Sequence, residues 1–299
     1  MARQRAHRRS THRPLTDGNS IGTVQGGPTS GLVLREWGEP ELPGVLLWPG
    51  LGSTGAYFAG IAGALPGRAV AADPPGFGGS APLEPCTFER LVEVARATVS
   101  DRRCTTMVGH SLGAYVALGV GCEPPVGLRA IVLIDGGFMT APDFIAIGMP
   151  VLSGRTELVA WMEPNALRFP DWGTATRELA RMETAEITPS FEAYVHEVMV
   201  DKDGEVCAAR SSEQLAETLL AVLNADVLAL GSALKVPALL IASGQPLGSR
   251  PVREKAWQDF AAVSPLVELH VENEWSHNPV LQDPEAIASL IGAWLRATG

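Results

Sequence analysis

The chain has 299 residues, 46% of them hydrophobic, enough to bury a large core in one large domain or two smaller ones. Its formal charge is −10, and Arg3, Arg5, Arg8, Arg9 and Arg13 open the chain with no acid among them, leaving 18 cations against 33 acids in the body. An acidic body argues against nucleic acid or an anionic membrane as partner, and no stretch approaches the roughly 20 apolar residues of a membrane span.

Along the chain, the twin Arg8-Arg9 is not followed by an apolar export-type run, and Pro14 to Pro28 is polar and rich in Gly. Residues 1–25 are therefore expected to form a disordered basic tail. Short apolar runs at "GVLLWPG" (44–50) and "GRAVAAD" (67–73) read as strands, and "TFERLVEVARATVS" (87–100) has helical spacing. "CTTMVG" (104–109), a helical "LGAYVALGVG" (112–121) and "RAIVLID" (129–135) continue the alternation. Buried strands alternating with amphipathic helices predict an α/β fold with a mostly parallel sheet covered on both faces. Ligands of such sheets bind beyond the carboxyl ends of the strands.

From Gly136 to about Leu234 the rhythm changes. Helical candidates such as "TATRELARMETAEI" (174–187) and "SSEQLAETLLAVLNA" (211–225) follow one another with no clear strand. Strand-like "VPALLIASG" (236–244), a helix near 251–262, strand-like "LVELHVE" (266–272) and a final helix over 283–297 close the chain. Asp283 is placed to cap that last helix, with Pro284 at its first position. The division expected is a core over 26–136 and 233–299, interrupted by a helical layer over 137–232. Cys86, Cys104, Cys122 and Cys207 lack metal-type spacing, so they read as buried thiols of a reducing, cytoplasmic compartment. No metal or organic cofactor is expected, and nothing in the sequence sets an oligomeric state.

Within this frame, "MVGHSLGAYVAL" (107–118) puts Ser111 where a strand ends and a helix begins. Gly109 and Gly113 remove side chains that would clash across so tight a turn, which leaves an exposed hydroxyl at the active edge of the sheet. The amide of Leu112, first in the helix, would point at the oxygen of a bound carbonyl and gain from the helix dipole. The Gly-rich loop "WPGLGSTGAYF" (48–58) offers the Leu51 amide as a second donor.

Four stretches in this order, "PGLGST" (49–54), "DPPGFGGS" (73–80), "GHSLG" (109–113) and "SHNPVLQDPEAI" (276–287), resemble the lid-bearing α/β-hydrolase superfamily across roughly residues 31–297. The resemblance implies an α/β-hydrolase fold, a helical lid inserted after the sixth strand, an oxyanion hole, and a Ser, acid, His triad in that chain order. Pro49-Gly50 stands where the family commonly has His-Gly. His277 lies in the loop where the family's catalytic His falls. His7 and His12 are in the tail, His110 is in the elbow, His196 is in the inserted layer, and His270 shares a strand face with Glu268 and Glu272. For the acid, members of the superfamily often place an Asp after the seventh strand, yet "SGQPLGSR" (243–250) has no carboxylate. Asp135, ending the sixth strand in "VLIDGG", is the alternative family location, with Asp73, Asp226 and Asp283 as further candidates.

The function these parts suggest is hydrolysis of an ester or lactone with an apolar acyl or alkyl part: His277 activates Ser111, and an acyl-enzyme forms and is hydrolysed. The aromatic and Met residues of 137–232 favour an apolar small-molecule ester or thioester as substrate. A thioesterase acting on a carrier or CoA, and a non-hydrolytic binding protein or cyclase on the same fold, are the alternatives.

Overall fold

The computed structural model describes residues 20–24, 29–150, 154–245 and 248–298. The first part of the chain forms β1 (Ser20–Thr23), β2 (Val33–Trp37), β3 (Gly44–Trp48), α1 (Ala59–Ala62), β4 (Arg68–Ala72) and α2 (Phe88–Asp101), then β5 (Cys104–His110), α3 (Leu112–Cys122) and β6 (Ala130–Ile134). An inserted region follows, with α4 (Ala141–Ala146), α5 (Arg155–Met162), β7 (Arg168–Phe169), α6 (Trp172–Glu183), α7 (Pro189–Val198), β8 (Met199–Lys202), β9 (Glu205–Ala208), α8 (Ser212–Leu223) and α9 (Val227–Ser232). The chain returns through β10 (Ala238–Ser243), α10 (Arg250–Ala262), β11 (Val267–Glu272), α11 (Pro279–Gln282) and α12 (Pro284–Thr298).

Eight strands make one sheet in the order β1-β2-β4-β3-β5-β6-β10-β11. β1 and β2 run antiparallel to their neighbours and the rest are parallel. The strand side chains alternate between two cores, as a period of two demands. Leu46, Met107, Ile131, Leu133 and Leu240 face the core shared with α2, α3 and α8, whereas Val45, Leu47, Val108, Val132, Ile134 and Ile241 face the core shared with α1 and α12. Every residue of α3 is buried, which accounts for its all-round apolar sequence. Asp283 caps α12 as expected, accepting from the Ala286 amide at 3.1 Å.

Two expectations change. Ser20–Thr23 falls inside the segment read as a tail, yet it pairs with Val33–Glu36. Backbone bonds hold this edge, with Val24 N donating to Leu32 O at 2.8 Å, and such bonds need no apolar pattern. Residues 1–19 lie outside the described residues. The inserted region is also not purely helical, because β7, β9 and β8 form a small antiparallel sheet. Its hairpin turns at Asp203 (φ 56°) and Gly204 (φ 87°), the Asp-Gly pair that two-residue turns with positive φ favour. Among the described residues no helix is long and apolar enough to cross a membrane.

Candidate active site

Ser111 occupies the turn from β5 into α3 with φ 53° and ψ −118°, a conformation L residues rarely adopt. Neighbouring glycines make the turn possible. A Cβ on Gly113 would lie 2.1 Å from the Trp48 carbonyl oxygen, and one on Gly136 would lie 2.1 Å from that of Ser111. The Ser111 amide donates to Ile134 O at 2.8 Å, so the end of β6 fixes the elbow directly.

His277 comes from the loop between β11 and α11. Its Nε2 is 3.0 Å from Ser111 Oγ and its Nδ1 is 2.6 Å from Asp135 Oδ2. Asp135 follows β6 with φ 44° and is buried. Its other oxygen, Oδ1, accepts from the Ser243 amide at 3.0 Å and from Arg253 Nη2 at 2.5 Å. Burial pushes the Asp135 carboxyl upward, but the His277 hydrogen bond, the His277 and Arg253 charges and the Ser243 amide outweigh it. The net result is a carboxyl held below its ordinary value. An ionised Asp135 can only accept, so His277 Nδ1 carries the proton and Nε2 is free to accept from the serine hydroxyl.

The structure therefore brings Ser111, His277 and Asp135 together and leaves the other acids elsewhere. Asp73 is buried just after β4, ion-paired with Arg35 and bonded to the Gly55 amide at 2.9 Å. Asp226 caps α9 and Asp283 caps α12. His196 packs on Trp172 with ring centroids 4.1 Å apart, and His270 lies on the edge strand β11. His7 and His12 lie outside the described residues.

Several supporting groups are not read from the sequence. His110 Nε2 is 2.8 Å from the His277 carbonyl oxygen, and its ring stacks on Tyr57. Burial, with the His277 charge adding to it, pushes His110 down to about 3, so the neutral ring donates through Nε2. Asn278 donates to Glu183 of α6 and accepts from Tyr57 Oη at 3.2 Å. Arg253, on the first turn of α10, is buried beside Asp135. Motif spacing could not reveal it, since it reaches the site only through the packing of α10.

Ser111, Asp135, Arg253 and His277 open onto a cavity of about 210 Å³ whose walls are mainly apolar, including Leu51, Phe138, Phe144, Trp161, Met162 and Leu223. The loop of Leu51 runs close by, for a Cβ on Gly50 would lie 2.9 Å from Ser111 Cβ. The Leu51 and Leu112 amides take no backbone acceptor among the described residues, and both residues line the cavity.

A serine elbow at the carboxyl edge of this strand order, with a helical insertion after β6, is the arrangement of an α/β hydrolase. The chain belongs to the alpha/beta hydrolase family, whose sequence profile matches residues 45–290. A curated relative, 2-succinyl-6-hydroxy-2,4-cyclohexadiene-1-carboxylate synthase of Klebsiella pneumoniae (strain 342), is 26% identical over 230 residues, covering 73% of this chain and 80% of its own. Among solved structures, a thioesterase domain from the curacin biosynthetic pathway superposes with a TM-score of 0.72 at 20% identity, covering 92% of this chain and 99% of that one. A Mycobacterium tuberculosis esterase gives 0.68 at 18% identity, covering 94% and 93%.

Proposed function

We propose that the protein is a serine hydrolase that cleaves a carboxylic ester or lactone with an apolar acyl or alkyl part. The observation that carries this reading is His277 bridging Ser111 Oγ and Asp135 at the floor of an apolar cavity. In the reaction, His277 Nε2 takes the Ser111 proton as Oγ attacks the carbonyl carbon. The Leu51 and Leu112 amides hold the oxygen of the tetrahedral intermediate, an interaction that strengthens as charge develops there. The imidazolium returns its proton to the leaving alcohol, and water attacks the acyl-enzyme by the same route in reverse. Two of the five non-glycine residues with positive φ among the described residues are Ser111 and Asp135. Strain concentrated on reacting groups supports a chemical role over a merely structural one.

The thioesterase reading shares every one of these steps and differs only in the leaving group. The activity named for the K. pneumoniae relative involves a product bearing carboxylates, and the lining of this cavity suits it poorly. Its lone Lys or Arg among the described lining residues, Arg253, is already paired with Asp135. Four free cysteines, three of them buried, support a cytoplasmic location.

The test is Ser111→Ala assayed on short nitrophenyl esters, with a Ser-directed phosphonate as companion. Turnover is expected to vanish with the thermal midpoint near its original value, and the phosphonate to label the parent alone. Parent-like turnover in Ser111→Ala would remove the serine from the mechanism. An acyl-CoA panel then separates ester from thioester preference.

A further inference from the structure

We propose that Arg253 is a positioning residue of the serine centre: its guanidinium holds the second oxygen of Asp135 and offsets the charge of the carboxylate that faces His277. The proposal rests on the serine-hydrolase reading. Its geometry is specific. Arg253 Nη2 is 2.5 Å from Asp135 Oδ1, with the two side chains 4% and 0% exposed. The guanidinium carbon stands 5.2 Å from the Phe138 ring centroid, and Nη1 is 3.6 Å from Met139 Sδ. With the guanidinium held against Phe138 and Met139, its bond to Oδ1 acts together with the Ser243 amide to restrain the carboxylate and so the approach of Oδ2 to His277.

The partners of Asp135 come from the strand end that lacks an acid. Ser243 ends β10, and Arg253 stands on α10, the helix that follows the loop 244–249. An acid displaced to β6 thus keeps a donor and a cation supplied from β10 and α10. A lone ionised carboxylate at this depth would be costly, and a buried cation offsets that cost while weakening the field the carboxylate exerts on its neighbours.

The charge inventory around the pair is short. His277 faces Asp135, His110 and Glu183; Asp135 faces His277, Arg253, Tyr57 and Tyr115. Burial keeps His110 neutral near pH 7, and the tyrosines, pushed by burial further above a value already well over 7, are neutral there as well. Glu183 lies beside His277 and Asp143 of α4 acts on Tyr115 beside the pair, and of the charged neighbours among the described residues Arg253 is the one bonded to the acid. Removing a positive charge makes proton uptake easier, so the acid limb of the pH–rate profile must move to higher pH without it.

The experiment compares kcat/KM against pH for the parent, Arg253→Met and Arg253→Lys, with proton NMR titration of the Asp135–His277 pair as a readout that needs no turnover. Arg253→Met is expected to move the acid limb and the NMR titration upward by roughly one to three pH units, while Arg253→Lys stays near the parent. If Arg253→Met does not fold, Arg253→Gln keeps donors without charge and gives the same upward shift. A uniform loss of rate with an unshifted profile, or equal shifts in the Lys and Met variants, would overturn the proposal. Failure of the serine reading is visible separately, as turnover that survives Ser111→Ala.

Discussion

The sheet and the inserted region face each other across the cavity but are held by different means. Strands β3, β4, β6 and β10 bury every residue, whereas α4 buries none and α5 buries Leu158 alone. The insertion is itself divided. Ala216, Leu219, Val222 and Leu223 of α8 join the core of the sheet, while α6, α7, β8 and β9 gather around a small core of their own that includes Leu179, Phe191, Val195 and Val206. The proposed reacting groups stand on the deeply buried side, and much of the cavity wall stands on the more exposed side. Chemistry and selectivity should therefore respond separately to mutation.

The largest expected effect lies on the buried side. Asp135→Asn leaves the packing almost unchanged but presents an amide to His277 Nδ1, favouring the wrong imidazole tautomer. Turnover should fall on the order of 10⁴-fold, the size measured for the equivalent change in another serine triad, with the acyl-length preference unaltered. A drop of less than about tenfold would mean that the 2.6 Å contact to His277 is structural.

A smaller effect is expected across the cavity. Met162 of α5 lines the cavity and is only partly buried, so Met162→Ala should enlarge the acyl space at little cost to the fold. The ratio of kcat/KM for long over short acyl chains should rise by roughly tenfold, the worth of one or two methylenes in an apolar pocket. The pH profile should stay where it is. A variant that slowed all chain lengths equally would show that α5 helps set the serine geometry and would break the division between the two sides.

The same division explains what the sequence made legible. Strands buried on both faces leave continuous apolar runs, and the serine elbow needs glycines at fixed offsets, so β3 to β6, β10 and Ser111 could be read from residue order, whereas the antiparallel β1 and β2 left no such run and were not. Asp135 was legible as a strand end followed by two glycines, although its contact with His277 depends on folding. The β8–β9 hairpin escaped because its strands are four residues long and β8 is largely exposed, which leaves the Asp203-Gly204 pair as its main signal. Arg253 and Glu183 escaped for another reason. Each sits on an ordinary amphipathic helix and acquires its role from a neighbour far away in the chain, 118 residues in the case of Arg253 and Asp135.

The smallest effect concerns Asp226, a carboxylate that sequence alone left open as the acid partner. Its Oδ1 accepts from the Ala229 amide at 3.1 Å at the start of α9, on the insertion side of the comparison and away from His277. Asn caps a helix about as well as Asp, because its side-chain oxygen accepts the same amide. Asp226→Asn should therefore change stability by less than about 0.5 kcal/mol, the range of surface substitutions that break no special contact, and leave kcat and the pH profile at parental values. Thermal denaturation and a pH–rate series on the same preparation check both halves. A loss of turnover approaching that of Asp135→Asn would place a second acid in the reaction and would tie the insertion to the chemistry that the geometry assigns to the sheet.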